Sequence, residues 1–148
     1  MYDAAGGSAA MQRIALALHR CCLADPLLHH PFSQPGQHPK HDERFAAYLG
    51  EVLGGPPAYT ALGATQSSLM RMHLGEGGAT EEYRAAFVAC FDAAVDDAGV
   101  PHDAALRGTL HAYVTWAAEQ IMPDHDDPAQ VAVRVPMPGW TWEGPQRD

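Results

Sequence analysis

The sequence predicts a single all-α domain, on three observations. Apolar residues recur at helical spacing in four separate segments, glycine- and proline-rich breaks divide those segments, and no alternating strand pattern survives except a weak candidate at Val131–Val135. At 148 residues the chain suffices for one continuous core and leaves no room for a second independent domain.

The first helical segment is expected from about Ala9 to Leu23, capped by Ser8 after Gly6 and Gly7, with Met11, Ile14, Leu18 and Cys22 on its apolar face. Asp25 and Pro26 end it, and Pro26 opens a short turn that runs through His30. From Pro31 to His38 the composition turns to Pro, Gly, Ser and Gln, a surface loop with Phe32 as its large apolar anchor. The second segment starts near Pro39 and is stopped after Leu53 by Gly54, Gly55, Pro56 and Pro57; His41, Phe45, Tyr48, Leu49 and Val52 form its stripe. A short helix over Ser67–Met72 is expected to present His73 near its end, followed by a pliable glycine-rich connection over Leu74–Ala79. Thr80 caps the third long segment, where Glu81 and Glu82 complement the helix dipole and Phe87, Cys90, Phe91 and Ala94 share one side before Gly99. The fourth starts near His102 and ends before Pro123, with Leu106, Leu110, Tyr113, Val114, Ala117 and Ile121 inward. Beyond it, acidic and proline-containing residues predict an extended tail on which Trp140 and Trp142 are positioned to dock back.

Composition excludes several function classes. Nine Lys and Arg against eighteen Asp and Glu make a formal charge of −9, which repels phosphate backbones and anionic lipid, so neither nucleic acid nor a membrane is an expected partner. No run approaches the length of a membrane span, and the first fifteen residues lack the basic start and apolar core of a secretory signal, which makes the cytoplasm the expected location. Cys21 and Cys22 leave a helix about 100° apart and cannot bridge one another. Cys90 reads as a core residue, so no native disulfide is expected. There is no Cys-x-x-Cys for iron-sulfur, zinc or thioether chemistry, no His-Glu-x-x-His or Glu-x-x-His pair, no Gly-x-Ser-x-Gly and no phosphate-binding glycine loop.

What remains is a set of single histidines, out of nine in all, beside apolar side chains on different elements. His19 borders the buried face of the first helix, His41 sits one turn before Phe45 on the second, and His73 ends the short helix. Three imidazoles approaching one apolar cavity suit a haem, whose iron takes one axial imidazole and leaves its other face for a gas or a second residue. On the residues alone the plainer readings stay open: His73 as a helix-terminal histidine held by the dipole and solvent, His19 and His41 as boundary or surface histidines.

The ordered motifs Tyr2-Asp3-Ala4-Ala5-Gly6-Gly7, Ala24-Asp25-Pro26-Leu27-Leu28, Gly54-Gly55-Pro56-Pro57-Ala58-Tyr59, Leu69-Met70-Arg71-Met72-His73 and Ala89-Cys90-Phe91 resemble the truncated haemoglobins, specifically their second group. The resemblance spans residues 1–122 and leaves 123–148 as a tail. It implies a two-over-two helical sandwich around non-covalent haem b, with His73 as the proximal iron ligand, Phe32 against the porphyrin near the distal side, Phe45 over the distal face and Arg71 as a propionate partner. The sequence departs from the family in reading Leu18-His19 where Phe-Tyr is common and Phe87 where the group has Trp, and in lacking the His-x-Pro-Phe continuation after His73. His19 is therefore expected to face a bound ligand, with His41 gating or supplementing it. The implied function is reversible binding of dioxygen or another diatomic gas, with nitric oxide or peroxide turnover as the enzymatic variant and an unidentified reductase as its partner. A gas sensor and a haem-free helical interaction protein are the alternatives. Oligomeric state is not set by anything in the sequence.

Overall fold

The computed structural model describes residues 1–33, 39–74, 79–125 and 127–146. These residues form helices α1 (Tyr2–Ala5), α2 (Gly7–Ala24), α3 (His29–Phe32), α4 (His41–Val52), α5 (Gln66–Met72), α6 (Glu81–Asp97) and α7 (Ala104–Ile121). A terminal hairpin pairs β1 (Trp140–Thr141) with β2 (Gly144–Pro145). α2 packs against both α4 and α6, and α6 against α7, so their apolar stripes meet in one core.

Local chemistry accounts for several boundaries. Asp25 Oδ1 accepts from the N–H groups of Leu27 (2.8 Å) and Leu28 (3.3 Å), turning the chain out of α2. At α5 the Thr65 hydroxyl accepts from Ser68 N while Ser68 Oγ accepts from Thr65 N, a reciprocal cap that satisfies two exposed donors. Thr80 and Asp103 cap α6 and α7 in the same one-way fashion. Ser8 does not cap α2: Gly6, at φ 107°, makes the break and Ser8 falls inside the first turn. A left-handed residue there lets the N-terminal turn fold back, and Tyr2 N donates to Leu53 O at 3.0 Å. Gly55 is held to glycine by this same approach, since a Cβ there would lie 2.7 Å from both Gly50 O and the Tyr2 ring.

Three expectations are corrected. Cys21 and Cys90 form a disulfide between α2 and α6, with Cα atoms 5.6 Å apart. The neighbouring cysteines do point apart as expected, but the facing helix supplies the partner; Cys22 remains a buried free thiol, its pKa pushed up to about 12 by burial. The strand candidate at Val131–Val135 is not a strand, the extended pairing falling instead at Trp140–Pro145. The tail is also packed rather than merely extended. Trp140 is buried with its ring 5.7 Å from Tyr113 and 5.4 Å from Trp116, and Val135 N donates to Ser67 Oγ at 2.7 Å. Trp142 stays 46% exposed, so only one of the two indoles docks. Most of the loop after Phe32 and of the connection after His73 lies outside the described residues.

Candidate functional site

A largely apolar cavity of about 640 Å³ opens among α2, α3, α4, α5, α6 and α7, a size proper to small-molecule and cofactor sites. A smaller cavity of about 290 Å³ beside Tyr2, Met11 and Gly50 has no histidine in its lining. The large cavity is bounded by His73 from the end of α5, by His19 from α2 and His41 from α4, and by Phe32, Phe45 and Phe87.

His73 is the C-cap of α5. Its side chain is exposed where it borders the cavity; desolvation by the surrounding fold lowers its pKa, partly offset by its bond to the Leu69 carbonyl. Nδ1–H donates to Leu69 O at 2.9 Å, which orients the ring and, in the neutral imidazole, puts the lone pair on Nε2. The lowered pKa favours the neutral ring, and the bond to Leu69 O selects which of its nitrogens is the donor.

Across the cavity, His19, His41 and Phe32 form a cluster of tilted and edge-on rings, with centroids 5.7 Å apart for the two histidines, 6.0 Å for His19–Phe32 and 6.1 Å for Phe32–His41. His19 Nδ1 lies 2.6 Å from Asp42 Oδ1, a short charge-assisted contact between α2 and α4. Sequence reasoning missed Asp42, whose only signal is acidic placement in the first turn of α4. Phe87 is buried in the wall, whereas Phe45 is half-buried and faces the cavity.

Arg71 does not serve the cavity: its Nη2 donates to the carbonyls of Val131 (3.3 Å) and Ala132 (3.2 Å), because the tail docks over it. The basic side chain in the lining is Arg44 instead, with its guanidinium carbon 5.8 Å from the centre of the Tyr59 ring. Sequence reading passed over Arg44 because it adjoins the apolar stripe of α4 rather than belonging to it.

Tyr48 and Tyr59 close the cavity floor with rings 5.2 Å apart. Their buried hydroxyls make no well-formed hydrogen bond, although Gln66 and Tyr113 lie beside the first and Ser68 and Arg44 beside the second. Burial pushes both phenols, and that of Tyr113, above their ordinary range.

An apolar chamber with the oriented His73 imidazole on one side, the His19–His41 pair across it and the Arg44 guanidinium in its lining fits a flat, mostly apolar cofactor that carries a metal and carboxylates. Among the described residues, no group of three or more His, Cys, Asp or Glu side chains is placed to hold a metal ion by protein alone. No described helix is long and apolar enough to cross a membrane.

The family model for bacterial-like globins matches residues 1–121. Among solved structures, the haemoglobin of the thermophilic phototrophic bacterium Chloroflexus aurantiacus is 29% identical at a TM-score of 0.68, with 82% of this chain and 95% of that chain covered. The thermostable haemoglobin of the actinobacterium Thermobifida fusca is 27% identical at 0.67, covering 82% and 94%. The group II 2-on-2 haemoglobin of the plant pathogen Agrobacterium tumefaciens is 25% identical at 0.64, covering 82% and 92%. No curated protein matches the chain.

Proposed function

The chain belongs to the bacterial-like globin family, and on that premise we propose that it holds one non-covalent haem b through His73 and binds a diatomic gas, dioxygen in the first place, on the side facing His19 and His41. The observation that carries this reading is the His73 imidazole at the cavity wall, turned by its bond to Leu69 O so that Nε2 is the donor nitrogen.

Bound haem would supply an iron centre for reversible gas binding. The chain's own residues do the rest. Leu69 O orients His73 and raises its basicity, as an outer partner does for a metal-bound histidine. Arg44 is the cationic partner for a propionate carboxylate. Phe32, Phe45 and Phe87 keep the chamber dry and confine the ligand. With no Trp at position 87, polar contact falls to the histidine pair. Keeping the iron ferrous calls for an external electron donor, an unidentified reductase in this reading, and the cytoplasm is the location that goes with it.

The test is haem reconstitution followed by absorption spectroscopy. A stoichiometric Soret band that is lost or shifted in His73→Gly and restored by added imidazole is the expected result. A chain that takes up no haem, or a spectrum indifferent to His73→Gly, refutes the axial assignment.

A further inference from the structure

We propose that Asp42 is a positioning residue that sets His19 as a proton acceptor, so that the distal side of this site favours ligands whose iron-binding atom arrives carrying a proton over ligands that bring none. The proposal rests on the haem reading above and changes its ligand class, from dioxygen to a proton-bearing ligand of the ferric form.

The geometry is a two-helix device. His19 is on α2 and Asp42 on α4, both line the cavity, and Nδ1 lies 2.6 Å from Oδ1. Asp42 stands in the first turn of the twelve-residue α4. A carboxylate only accepts hydrogen bonds, so the short contact assigns the Nδ1 proton to His19. In the neutral ring Nε2 then carries a lone pair and no hydrogen. Such a ring cannot donate to bound dioxygen, which has no proton to give and needs a donor. It could take a proton from a weak acid H–X: the H–X bond would break, its electron pair would stay with X and the proton would move to Nε2, leaving X as an anion of the kind that bound ferric haem would accept. The resulting imidazolium faces the Asp42 carboxylate, which offsets its charge. No oxidant or reductant enters this step. Packing against His41 edge-on and against the tilted ring of Phe32, with centroids 5.7 and 6.0 Å from His19, limits the ring's freedom to turn over. The neutral His19 ring therefore faces the ligand with a lone pair rather than an N–H.

Asp42→Asn provides the test, because an amide N–H can donate to Nδ1 and move the ring proton to Nε2. In the haem-loaded protein at about pH 8, hydrogen cyanide association with ferric iron should fall by about 100-fold, the scale of losing a positioned base. Association of nitric oxide, which carries no proton, should change by less than about twofold. Dioxygen dissociation from the ferrous form should slow by about fivefold as Nε2–H becomes a donor. Asp42→Glu should return all three towards the parent values. Nitrogen NMR of the ferrous carbon monoxide form should show His19 protonated at Nδ1 in the parent and at Nε2 in Asp42→Asn. Unchanged cyanide association, faster dioxygen dissociation in Asp42→Asn, or a parent ferric spectrum in which His19 itself occupies the iron overturns the proposal and leaves the haem reading standing. Failure of the parent to load haem defeats that reading first, and the two failures are told apart by the Soret band.

Discussion

Opening the Cys21–Cys90 bridge probes how the distal wall is held, because α2 carries His19 and α6 carries Phe87. The cross-link closes a loop of 69 residues, and the chain-entropy relation assigns such a loop about 4 kcal/mol of stabilisation through the unfolded state. For a domain of 148 residues that corresponds to a fall in Tm of about 14 °C on reduction. The assay is urea unfolding of the oxidised protein, the reduced protein and Cys21→Ser/Cys90→Ser, each with thiols counted by mass analysis after alkylation. Cys22 is the internal control: buried and with its thiol pushed up to about 12, it should resist alkylation until the protein unfolds. Three alkylatable thiols in the unfolded, never-reduced protein would show that the bridge does not form. A single free thiol with an unchanged urea midpoint on reduction would refute the energetic reasoning, meaning that packing between α2 and α6 already restricts the chain.

Phe45→Ala should accelerate haem loss to an acceptor globin, while costing the haem-free protein less than the roughly 3 to 5 kcal/mol of a fully buried phenylalanine, since its ring faces the cavity; an unchanged transfer rate would show that the ring does not hold the cofactor. The tail, which composition predicts as extended, should matter: Trp140→Ala is expected to cost about 3 to 5 kcal/mol in urea unfolding, and truncation before Asp124 to weaken haem retention by freeing Arg71 and α5. Wild-type stability and haem affinity after truncation would restore the extended-tail picture. Stability should be full below about pH 10 and fall as pH rises from there, because Tyr48, Tyr59 and Tyr113 have raised pKa values in the fold and the unfolded chain releases those protons first. Each contributes about 1.4 kcal/mol per pH unit while only the unfolded form is ionised. A urea midpoint that is flat from pH 9 to about pH 11 would contradict their burial.

Helical periodicity and capping chemistry are local, and they sufficed to position α2, α4, α6 and α7, to end α4 at the Gly54-Gly55 break and to leave His73 at the end of α5. The ordered motifs carried the family as well, because they record where the backbone must turn or approach closely, as Gly55 does against Tyr2. Contacts between elements were not legible. His19 and Asp42 are 23 residues apart, Arg71 and the Val131 carbonyl 60, and Cys21 and Cys90 69. Nothing in the neighbourhood of any one of these residues names its partner. Helix packing alone chose an aspartate to hold His19, turned Arg71 to the tail while Arg44 reached the cavity, and paired Cys21 across α6. Hydrogen bonds and disulfides form only within a few ångströms, and that proximity is created when apolar faces are buried together, a free energy summed over the whole core rather than written at any one position.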